Sequence, residues 1–292
     1  MSAEYFLGVD GGGSRCRARL ETADGQHLGE GLAGPASMRF GFETARDAVL
    51  AATRQCLAEA GLDDDALKHI YAGIGLAGTG QRGAREKLES WRHPFAGAWF
   101  EGDAYVAWLG AFGGGDGDGG VVIAGTGSIA IAYGGDTVRI GGYGFPVSDE
   151  GSGADLGLGA LRHALKTLDG RAEPSAFARD VLVRFSGDPA AVIDWMENAS
   201  ATDYAALAPI VTRHAEAGDA AARALMREAG AQIGELIETL ARRSAPRVAL
   251  LGGLAEPVRP YLPQEAAALL VAPQADALAG AIVLAKQRRA QK

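Results

Sequence analysis

The chain has 292 residues, of which 48% are hydrophobic, so it is long enough to fill two cores of ordinary domain size. A formal net charge of −8 argues against non-specific binding to nucleic acid, and two cysteines provide neither a disulfide framework nor a four-thiolate metal site. The sequence shows no signal-peptide pattern and no apolar run of about 18 residues, so we expect a cytoplasmic protein.

The first half of the chain predicts three strands followed by alternating helices and strands. Short apolar runs predict the strands, and the dipeptide Asp24-Gly25 is typical of a hairpin turn. Apolar periodicity predicts the helices, the clearest of which ends before Gly61. The predicted elements are strands 5–9, 16–21 and 26–30, helix 42–60, strand 69–76, helix 81–91, strand 98–100 and a helix from Asp103 to Ala111.

The second half repeats the opening strands and then becomes helical. A segment of glycine and aspartate at 113–120 predicts a flexible boundary, which gives domains 1–115 and 116–292. A helical insertion is expected at about 154–244, and the last helix is expected to pack back on the first domain. The predicted elements are strands 121–124, 129–133 and 138–140 with a turn at Gly134-Gly135, helices 156–168, 174–185, 190–196, 204–217 and 220–243, strands 248–251 and 269–271, and a helix from Asp276.

This alternation of strands and helices predicts an α/β fold in layers, and the two halves read as divergent copies of one unit. A glycine-rich loop joins the first two strands of each half, at Asp10-Gly11-Gly12-Gly13-Ser14 and at Gly125-Thr126-Gly127-Ser128. Glycine at such a tip lets backbone N–H groups approach phosphate oxygens, and the hydroxyls of these loops can donate as well. Either loop alone is more often a structural hairpin. Two loops in matching contexts favour a nucleotide held between two similar domains.

Two common phosphate motifs do not fit these loops. Neither is followed by the lysine of a P-loop. The pattern from Gly125 to Ala130 matches a loose dinucleotide motif, which must open a helix, whereas the alternation of Ile129, Ile131 and Tyr133 predicts a strand.

Asp103 is the strongest catalytic candidate. It follows a strand and begins a helix, and sites of α/β proteins gather at such carboxyl ends. A helix cap is its structural alternative. Phosphoryl transfer to a sugar hydroxyl needs a carboxylate that accepts the proton, while magnesium and backbone donors neutralise the phosphates. Asp10, beside the first loop, is then the metal-associated acid and acts on Mg²⁺ through water.

A third polar cluster lies at residues 141–153. Adjacent acids, Asp149 and Glu150, stand among glycines and hydroxyl residues, a composition suited to hydrogen-bonding sugar hydroxyls. The alternative is that Asp149 or Ser152 only caps the helix that follows.

In order along the chain, these motifs resemble the N-acetylglucosamine kinase and BadF/BadG/BcrA/BcrD ATPase branch of the sugar kinase/Hsp70/actin superfamily. The likeness covers nearly the whole chain, and the segments around His93-Pro94-Phe95-Ala96, Asp103-Ala104-Tyr105 and Phe145-Pro146-Val147-Ser148-Asp149 look most like bacterial glucosamine kinases. The resemblance implies a two-domain actin-like ATPase (ribonuclease H-like) fold with a duplicated βββαβα core. It also implies ATP and Mg²⁺ as cofactors, phosphorylation of glucosamine at the 6-hydroxyl, closure of the two domains over the sugar, and a homodimer.

The resemblance also assigns roles to residues of this chain. Asp103 becomes the catalytic base for the sugar hydroxyl. The nucleotide-binding candidates are Gly12, Gly13, Ser14, Arg15, Gly125, Thr126, Gly127, Ser128, Gly252 and Gly253. The sugar-binding candidates are Ser37, Asp103, Gly142, Tyr143, Gly144, Asp149 and Glu150.

One position departs from the family pattern. Family members often carry asparagine in the loop after the first hairpin, where it contacts the sugar, and Ser37 stands there in this chain. A hydroxyl cannot present the donor and acceptor of an amide, so this difference bears on which sugar is bound and not on the kinase chemistry.

Three alternatives stay open at this point. An N-acetylglucosamine kinase would need an apolar recess for the acetyl group, whereas the ammonium of glucosamine favours a nearby carboxylate. An activating ATPase would need cysteines for a bridging iron–sulfur cluster, and Cys16 and Cys56 fall on a strand and a helix face. A non-catalytic sugar sensor is the third, although no helix-turn-helix segment precedes Tyr5.

Overall fold

The structure is a computed structural model that describes residues 4–113, 119–134 and 136–291. Most of the predicted linker, residues 114–118, lies outside the described residues, as does Gly135 of the predicted second hairpin turn. Two compact units form: unit 1 comprises Met1–Gly119, Tyr133–Gly135 and Ala272–Lys292, and unit 2 comprises Gly120–Ala132 and Asp136–Val271.

Strands and helices alternate as an α/β fold requires. The strands are β1 (Tyr5–Gly11), β2 (Cys16–Thr22), β3 (His27–Ala33), β4 (Ile70–Leu76), β5 (Gly97–Gly102), β6 (Gly119–Ala124), β7 (Ser128–Ala132), β8 (Val138–Gly141) and β9 (Arg247–Leu251). The α-helices are α1 (Phe42–Glu59), α2 (Ala84–Glu89), α3 (Asp103–Phe112), α4 (Gly153–Leu168), α5 (Ala176–Val183), α6 (Pro189–Met196), α7 (Ala201–Ala205), α8 (Ala208–Glu216), α9 (Ala220–Arg243), α10 (Ala255–Val258), α11 (Gln264–Ala268) and α12 (Ala277–Ala290).

The two sheets repeat one strand order. In unit 1 the order is β3-β2-β1-β4-β5, with β1, β2 and β3 antiparallel and with β4 parallel to both β1 and β5. The second sheet has the order β8-β7-β6-β9, with β6, β7 and β8 again antiparallel. The prediction of a duplicated strand scheme is therefore confirmed, and so is the prediction that each glycine loop leads into a strand.

The two sheets differ at the position after β9. Residues 269–271 were predicted to form a strand, but Leu270 makes only an isolated parallel bridge with Val248. Two backbone hydrogen bonds hold it, from Val248 N to Leu269 O at 3.1 Å and from Val271 N to Val248 O at 2.9 Å. Pro273, two residues further on, has no N–H with which to extend the ladder.

The helical insertion of unit 2 follows the prediction except at one point. The single helix predicted over 204–217 is two helices, α7 and α8. The break precedes Pro209, which stands in the first turn of α8, where its missing N–H costs nothing. Helices α4, α5, α8 and α9 surround the core of unit 2, in which Phe177, Met226 and Ile233 are fully buried. Among the described residues, no helix is both long and apolar enough to cross a membrane.

The last helix completes unit 1. It lies against β1 and β4 of the sheet and against α3. A Cβ added at Gly8 would come 2.3 Å from Leu278 O, and one added at Gly73 would come 1.9 Å from Ala281 O. Any side chain at either glycine would therefore clash with the backbone of α12. The bare strand surface lets helix and sheet approach backbone to backbone.

A salt bridge fixes the start of α12. Asp276 caps this helix by accepting a hydrogen bond from Ala279 N at 3.0 Å. Arg19 on β2 donates to both carboxylate oxygens of Asp276, at 3.0 and 2.9 Å. Such bidentate pairs add geometric specificity to the charge interaction. The N-terminus of α12 is therefore anchored to the sheet of its own unit.

Substitution of Gly73 by alanine tests this close packing. We expect Gly73→Ala to lower the free energy of unfolding by about 3 kcal/mol, because a methyl group cannot fit 1.9 Å from a backbone oxygen without displacing α12. Gly34→Ala is the matched control, since a Cβ there meets nothing within 4 Å. Denaturant unfolding of both variants measures the effect. Equal stability of Gly73→Ala and Gly34→Ala would contradict the packing role.

Candidate active site

Backbone hydrogen bonds hold the loop between β1 and β2, both within the loop and from the segments that follow β3 and β4. Gly12 N donates to Arg15 O at 2.9 Å, which closes the turn, and Ala36 N donates to Gly12 O at 3.0 Å. Ala77 N, just after β4, donates to Gly11 O at 2.8 Å. Ser14 and Arg15 are exposed at the tip. The loop is thus a turn supported by backbone hydrogen bonds, with exposed residues at its tip.

Ser37 lies under the turn that follows β3. It is 1% exposed, its Oγ donates to Ala77 O at 3.3 Å, and the same oxygen accepts from Arg39 N at 3.2 Å. The hydroxyl that was predicted to contact sugar therefore caps the short 3₁₀ turn Met38–Phe40. A sugar contact by Ser37 stays a prediction, and its observed contribution is to position Arg39.

Asp103 is the first residue of α3, directly after β5, and is partly buried. The residue in the N-cap position is Gly102, which provides no side-chain cap, while Asp103 Oδ1 accepts from Ala104 N at 2.9 Å. Burial, reinforced by the negative charge of Asp10, raises the pKa of Asp103 to about 6, although the Ala104 N–H and the charge of Arg39 act in the opposite direction. A carboxylate with this pKa can accept a proton near neutral pH.

Asp10 stands at the end of β1, next to the glycine loop. Its Oδ2 accepts a hydrogen bond from Arg17 Nη2 at 2.7 Å. These two residues are cross-strand partners in the β1–β2 ladder, so their side chains lie on the same face of the sheet. Unit 1 therefore brings Asp10, Arg39 and Asp103 into one charged cluster at the carboxyl ends of β1 and β5.

In unit 2, backbone hydrogen bonds connect the loop of residues 125–128 to the start of α4. Gly153 N donates to Gly125 O at 2.8 Å, and Ala154 N donates to Thr126 O at 3.1 Å. The Ser128 hydroxyl donates to Glu150 O at 2.7 Å, so this hydroxyl is already occupied. A Cβ on Gly125 would meet nothing within 4 Å, whereas one on Gly127 would lie 2.7 Å from Asp149 Oδ2.

Asp149 is buried against this loop. It is 5% exposed, has a left-handed backbone with φ of 70°, and accepts a hydrogen bond from Phe145 N at 3.1 Å. The cap of α4 is Ser152, whose Oγ accepts from Asp155 N at 3.3 Å. Ser152 is therefore the residue that caps α4. The buried Asp149 carboxylate has a different role.

The rest of the 141–150 loop is more open. Tyr143 is 74% exposed, and the Arg139 guanidinium lies 5.1 Å from its ring centroid. Glu150 is exposed and accepts from Ser148 Oγ at 3.3 Å. Gly142 and Gly144 have positive φ values, 71° and 112°, which shape the loop in a way that most residues disfavour.

The glycine turn after β9, at residues 252–253, lies beside the loop of residues 125–128. Leu254 N donates to Ala124 O at 3.0 Å, which ties the turn after β9 to the end of β6. Gly252 has φ of 99°, and a Cβ there would come 2.2 Å from Ala124 O. A Cβ on Gly253 would meet nothing within 4 Å. Unit 2 therefore gathers residues 125–128 and 252–253 at one end of its sheet.

The structure adds three residues that the sequence analysis missed. They are Arg17, Arg39 and Thr79. The hydroxyl of Thr79 lies close to Gly102, since a Cβ on Gly102 would lie 3.3 Å from Thr79 Oγ1. The run Gly78-Thr79-Gly80 after strand β4 is a recognisable signal for Thr79. Pairing the predicted hairpin strands would have placed Arg17 opposite Asp10. Nothing local marks Arg39.

Both cysteines are structural. Cys16 on β2 and Cys56 on α1 are fully buried, and burial raises the pKa of each thiol to about 12. Thiols in such surroundings are inert, so neither is placed to hold a cluster at the surface.

Curated proteins similar to this chain include sugar kinases. Residues 7–285 match the BadF/BadG/BcrA/BcrD ATPase family. Glucosamine kinase GspK of Vibrio cholerae is 35% identical over 282 residues, which cover 96% of this chain and 95% of that protein.

Solved structures give the same result for the fold. A protein from Chromobacterium violaceum, provisionally described as an N-acetylglucosamine kinase, has 36% identity and a TM-score of 0.89, and the match covers 98% of this chain and 100% of the other. A glucokinase of the ROK family from Streptomyces griseus, solved with glucose and AMPPNP, has 21% identity and a TM-score of 0.61, with 97% and 99% covered. The second similarity supports the actin-like fold alone.

The raised pKa of Asp103 predicts a cost to stability. Its native pKa of about 6 exceeds the ordinary 3.8, so between these values the native state holds the proton more tightly and stability falls as pH rises. We expect Asp103→Asn to raise the free energy of unfolding by about 1 to 3 kcal/mol at pH 7.5, and by much less at pH 4.5.

Thermal unfolding at the two pH values measures the difference. Asp194→Asn, at an exposed aspartate on α6, is the control and should show no such dependence on pH. An equal gain for Asp103→Asn at both pH values would show that the charge of Asp103 is not the cause.

Proposed function

Because this chain belongs to the BadF/BadG/BcrA/BcrD ATPase family, we propose that it is a glucosamine kinase, which transfers the γ-phosphoryl group of ATP to the 6-hydroxyl of D-glucosamine. The observation that carries this proposal is the position of Asp103, a partly buried carboxylate at the end of a parallel strand, in a chain similar over 96% of its length to a glucosamine kinase. The products are glucosamine 6-phosphate and ADP.

Asp103 is proposed as the catalytic base. With a pKa of about 6, it is mostly ionised at pH 7 and yet basic enough to take the proton of the hydroxyl as the oxygen attacks phosphorus. The hydrogen bond from Ala104 N fixes Oδ1, which orients the carboxylate. Positioning and charge stabilisation provide most of the catalysis in phosphoryl transfer, so this orientation matters as much as basicity.

The glycine loops are proposed to bind the nucleotide. The candidate phosphate donors are backbone N–H groups of residues 13–15 and 126–128, with Ser14 and Thr126 adding hydroxyls, while Gly12 N and Gly125 N close the turns by donating to Arg15 O and Gly127 O. The open space over Gly125 and Gly253 supports this proposal, since both positions leave room that a side chain would fill. Ser128 contributes differently, because its hydroxyl already holds Glu150 O.

Mg²⁺ fits the residues present. Within the described part of the chain, no three carboxylate, histidine or cysteine side chains form a metal cage. Mg²⁺ in kinases needs only one or two carboxylates besides phosphates and water, and Asp10 beside the first loop provides one. When bound, the ion would neutralise phosphate charge.

The proposed sugar-binding residues are those that the family resemblance implies. The candidates remain Ser37, Gly142, Tyr143, Gly144, Asp149 and Glu150, together with Asp103. Carboxylates favour the ammonium group of glucosamine over the acetamide of N-acetylglucosamine. N-acetylglucosamine kinase is the second candidate function, favoured by the similarity to the Chromobacterium violaceum protein. An activating ATPase is disfavoured by the two buried cysteines.

Two further properties are proposed from the resemblance alone. The enzyme is expected to be a homodimer and to work in the cytoplasm. Light scattering of the purified protein tests the first expectation, and fractionation of the source cells tests the second.

A substrate panel tests the function. We expect ATP-dependent turnover, measured by coupled ADP release with Mg²⁺ present, to have a kcat/KM at least about tenfold higher on glucosamine than on N-acetylglucosamine, glucose or mannosamine. Asp103→Asn should lower kcat by about 10²-fold or more with glucosamine binding retained. Preference for the acetylated sugar would favour the second candidate, and no turnover on any sugar would refute a hexosamine kinase.

The two glycines after β9 provide a matched pair for nucleotide binding. Gly253→Ala should weaken ADP binding by about tenfold or more at unchanged Tm, because its methyl group would enter the space assigned to nucleotide. Gly252→Ala should lower Tm instead, given its positive φ and a contact of 2.2 Å with Ala124 O. Calorimetric titration with ADP and thermal unfolding separate the two effects. Normal ADP affinity in Gly253→Ala would remove this turn from the nucleotide site.

A further inference from the structure

The guanidinium of Arg17 forms an ion pair with the metal candidate, Asp10. Its Nη2 lies 2.7 Å from Asp10 Oδ2, and the two side chains are 34% and 21% exposed. An ion pair partly withdrawn from water is screened less than one at the open surface. Within the described residues, Asp10 Oδ1 accepts no hydrogen bond. Arg17 thus holds one carboxylate oxygen and leaves the other available.

The structural ion pair of this strand face is made by a different arginine. Arg19, two residues further along β2, binds both oxygens of Asp276 and also Glu30, at 2.9 Å. It joins β2 to β3 and to the start of α12. The hydrogen bond of Arg17 joins two strands of a hairpin that seven ladder pairs already align, while its charge also acts on Asp276. The hydrogen bonds that anchor α12 to this strand therefore come from Arg19, and the hydrogen bond of Arg17 goes to Asp10.

We propose that Arg17 is a positioning residue for metal binding, which fixes the Asp10 carboxylate through Oδ2 so that Oδ1 can meet a hydrated divalent cation. This inference rests on the proposed function. A residue that orients a metal-binding carboxylate changes metal affinity by about 10- to 100-fold when it is replaced. Arginine suits the task because its planar guanidinium holds a carboxylate in a defined direction and keeps its charge at any physiological pH.

The experiment measures how Mg²⁺ changes ADP binding, which needs no turnover. Calorimetric titrations with ADP are made in EDTA and in Mg²⁺ for the wild type and for Arg17→Met, Arg17→Lys and Arg19→Lys. We expect Arg17→Met to lose about tenfold or more of the Mg²⁺-dependent gain in ADP affinity, with affinity in EDTA changed less than about twofold. Arg17→Lys should recover part of the gain.

Arg19→Lys is the matched control on the same strand face. This substitution should lower Tm and keep the full effect of Mg²⁺ on ADP affinity, because the ion pair that Arg19 makes is purely structural. An unchanged Mg²⁺ effect in Arg17→Met would overturn the proposal, and so would an equal loss of ADP affinity in EDTA, which would make Arg17 a direct phosphate ligand. A wild type that binds no ADP and phosphorylates no sugar would instead refute the proposed function.

Discussion

Direct contact between the backbone of α12 and the sheet of unit 1 is the constraint on which the candidate active site depends. Gly8 and Gly73 leave β1 and β4 bare where the helix crosses them, and Gly280 does the same on the helix: a Cβ there would come 1.9 Å from Val106 O in α3. The same packing therefore sets the position of β1, which ends beside Asp10, and of α3, which begins with Asp103. Both carboxylates are placed by one helix that carries no residue of the site.

The sequence predicts the local parts of this arrangement and misses the parts that depend on distant contacts. Hairpins, glycine loops and the strand-to-helix position of Asp103 follow from neighbouring residues, and the structure has them where they were predicted. The 269–271 segment has the composition of a strand, yet its partner is a single residue of β9. Arg39 enters the site only because Ser37 and Ala77 shape a turn, and no periodicity reports such a contact.

Glycines that look alike in the sequence divide into two classes in the structure. Gly73 and Gly252 would press a side chain against backbone, so they are required for folding. Gly125 and Gly253 face open space, so folding does not require them and a ligand gives the simplest reason for their presence. Adjacent positions can belong to different classes, as Gly252 and Gly253 do. Motif matching treats them as one feature, whereas the geometry separates a structural role from a binding role.

The return of the chain to unit 1 reverses the usual order in which domains fold during synthesis. Domains generally fold as units from the N-terminal end as the chain leaves the ribosome. Here residues 272–292 belong to unit 1, and they emerge only after every residue of unit 2 has been made. The sheet of unit 1 therefore has one face not yet covered by α12 while unit 2 is being synthesised. Unit 1 is thus finished after unit 2, and nascent chains expose the glycine-lined face of β1 and β4 until α12 has been made.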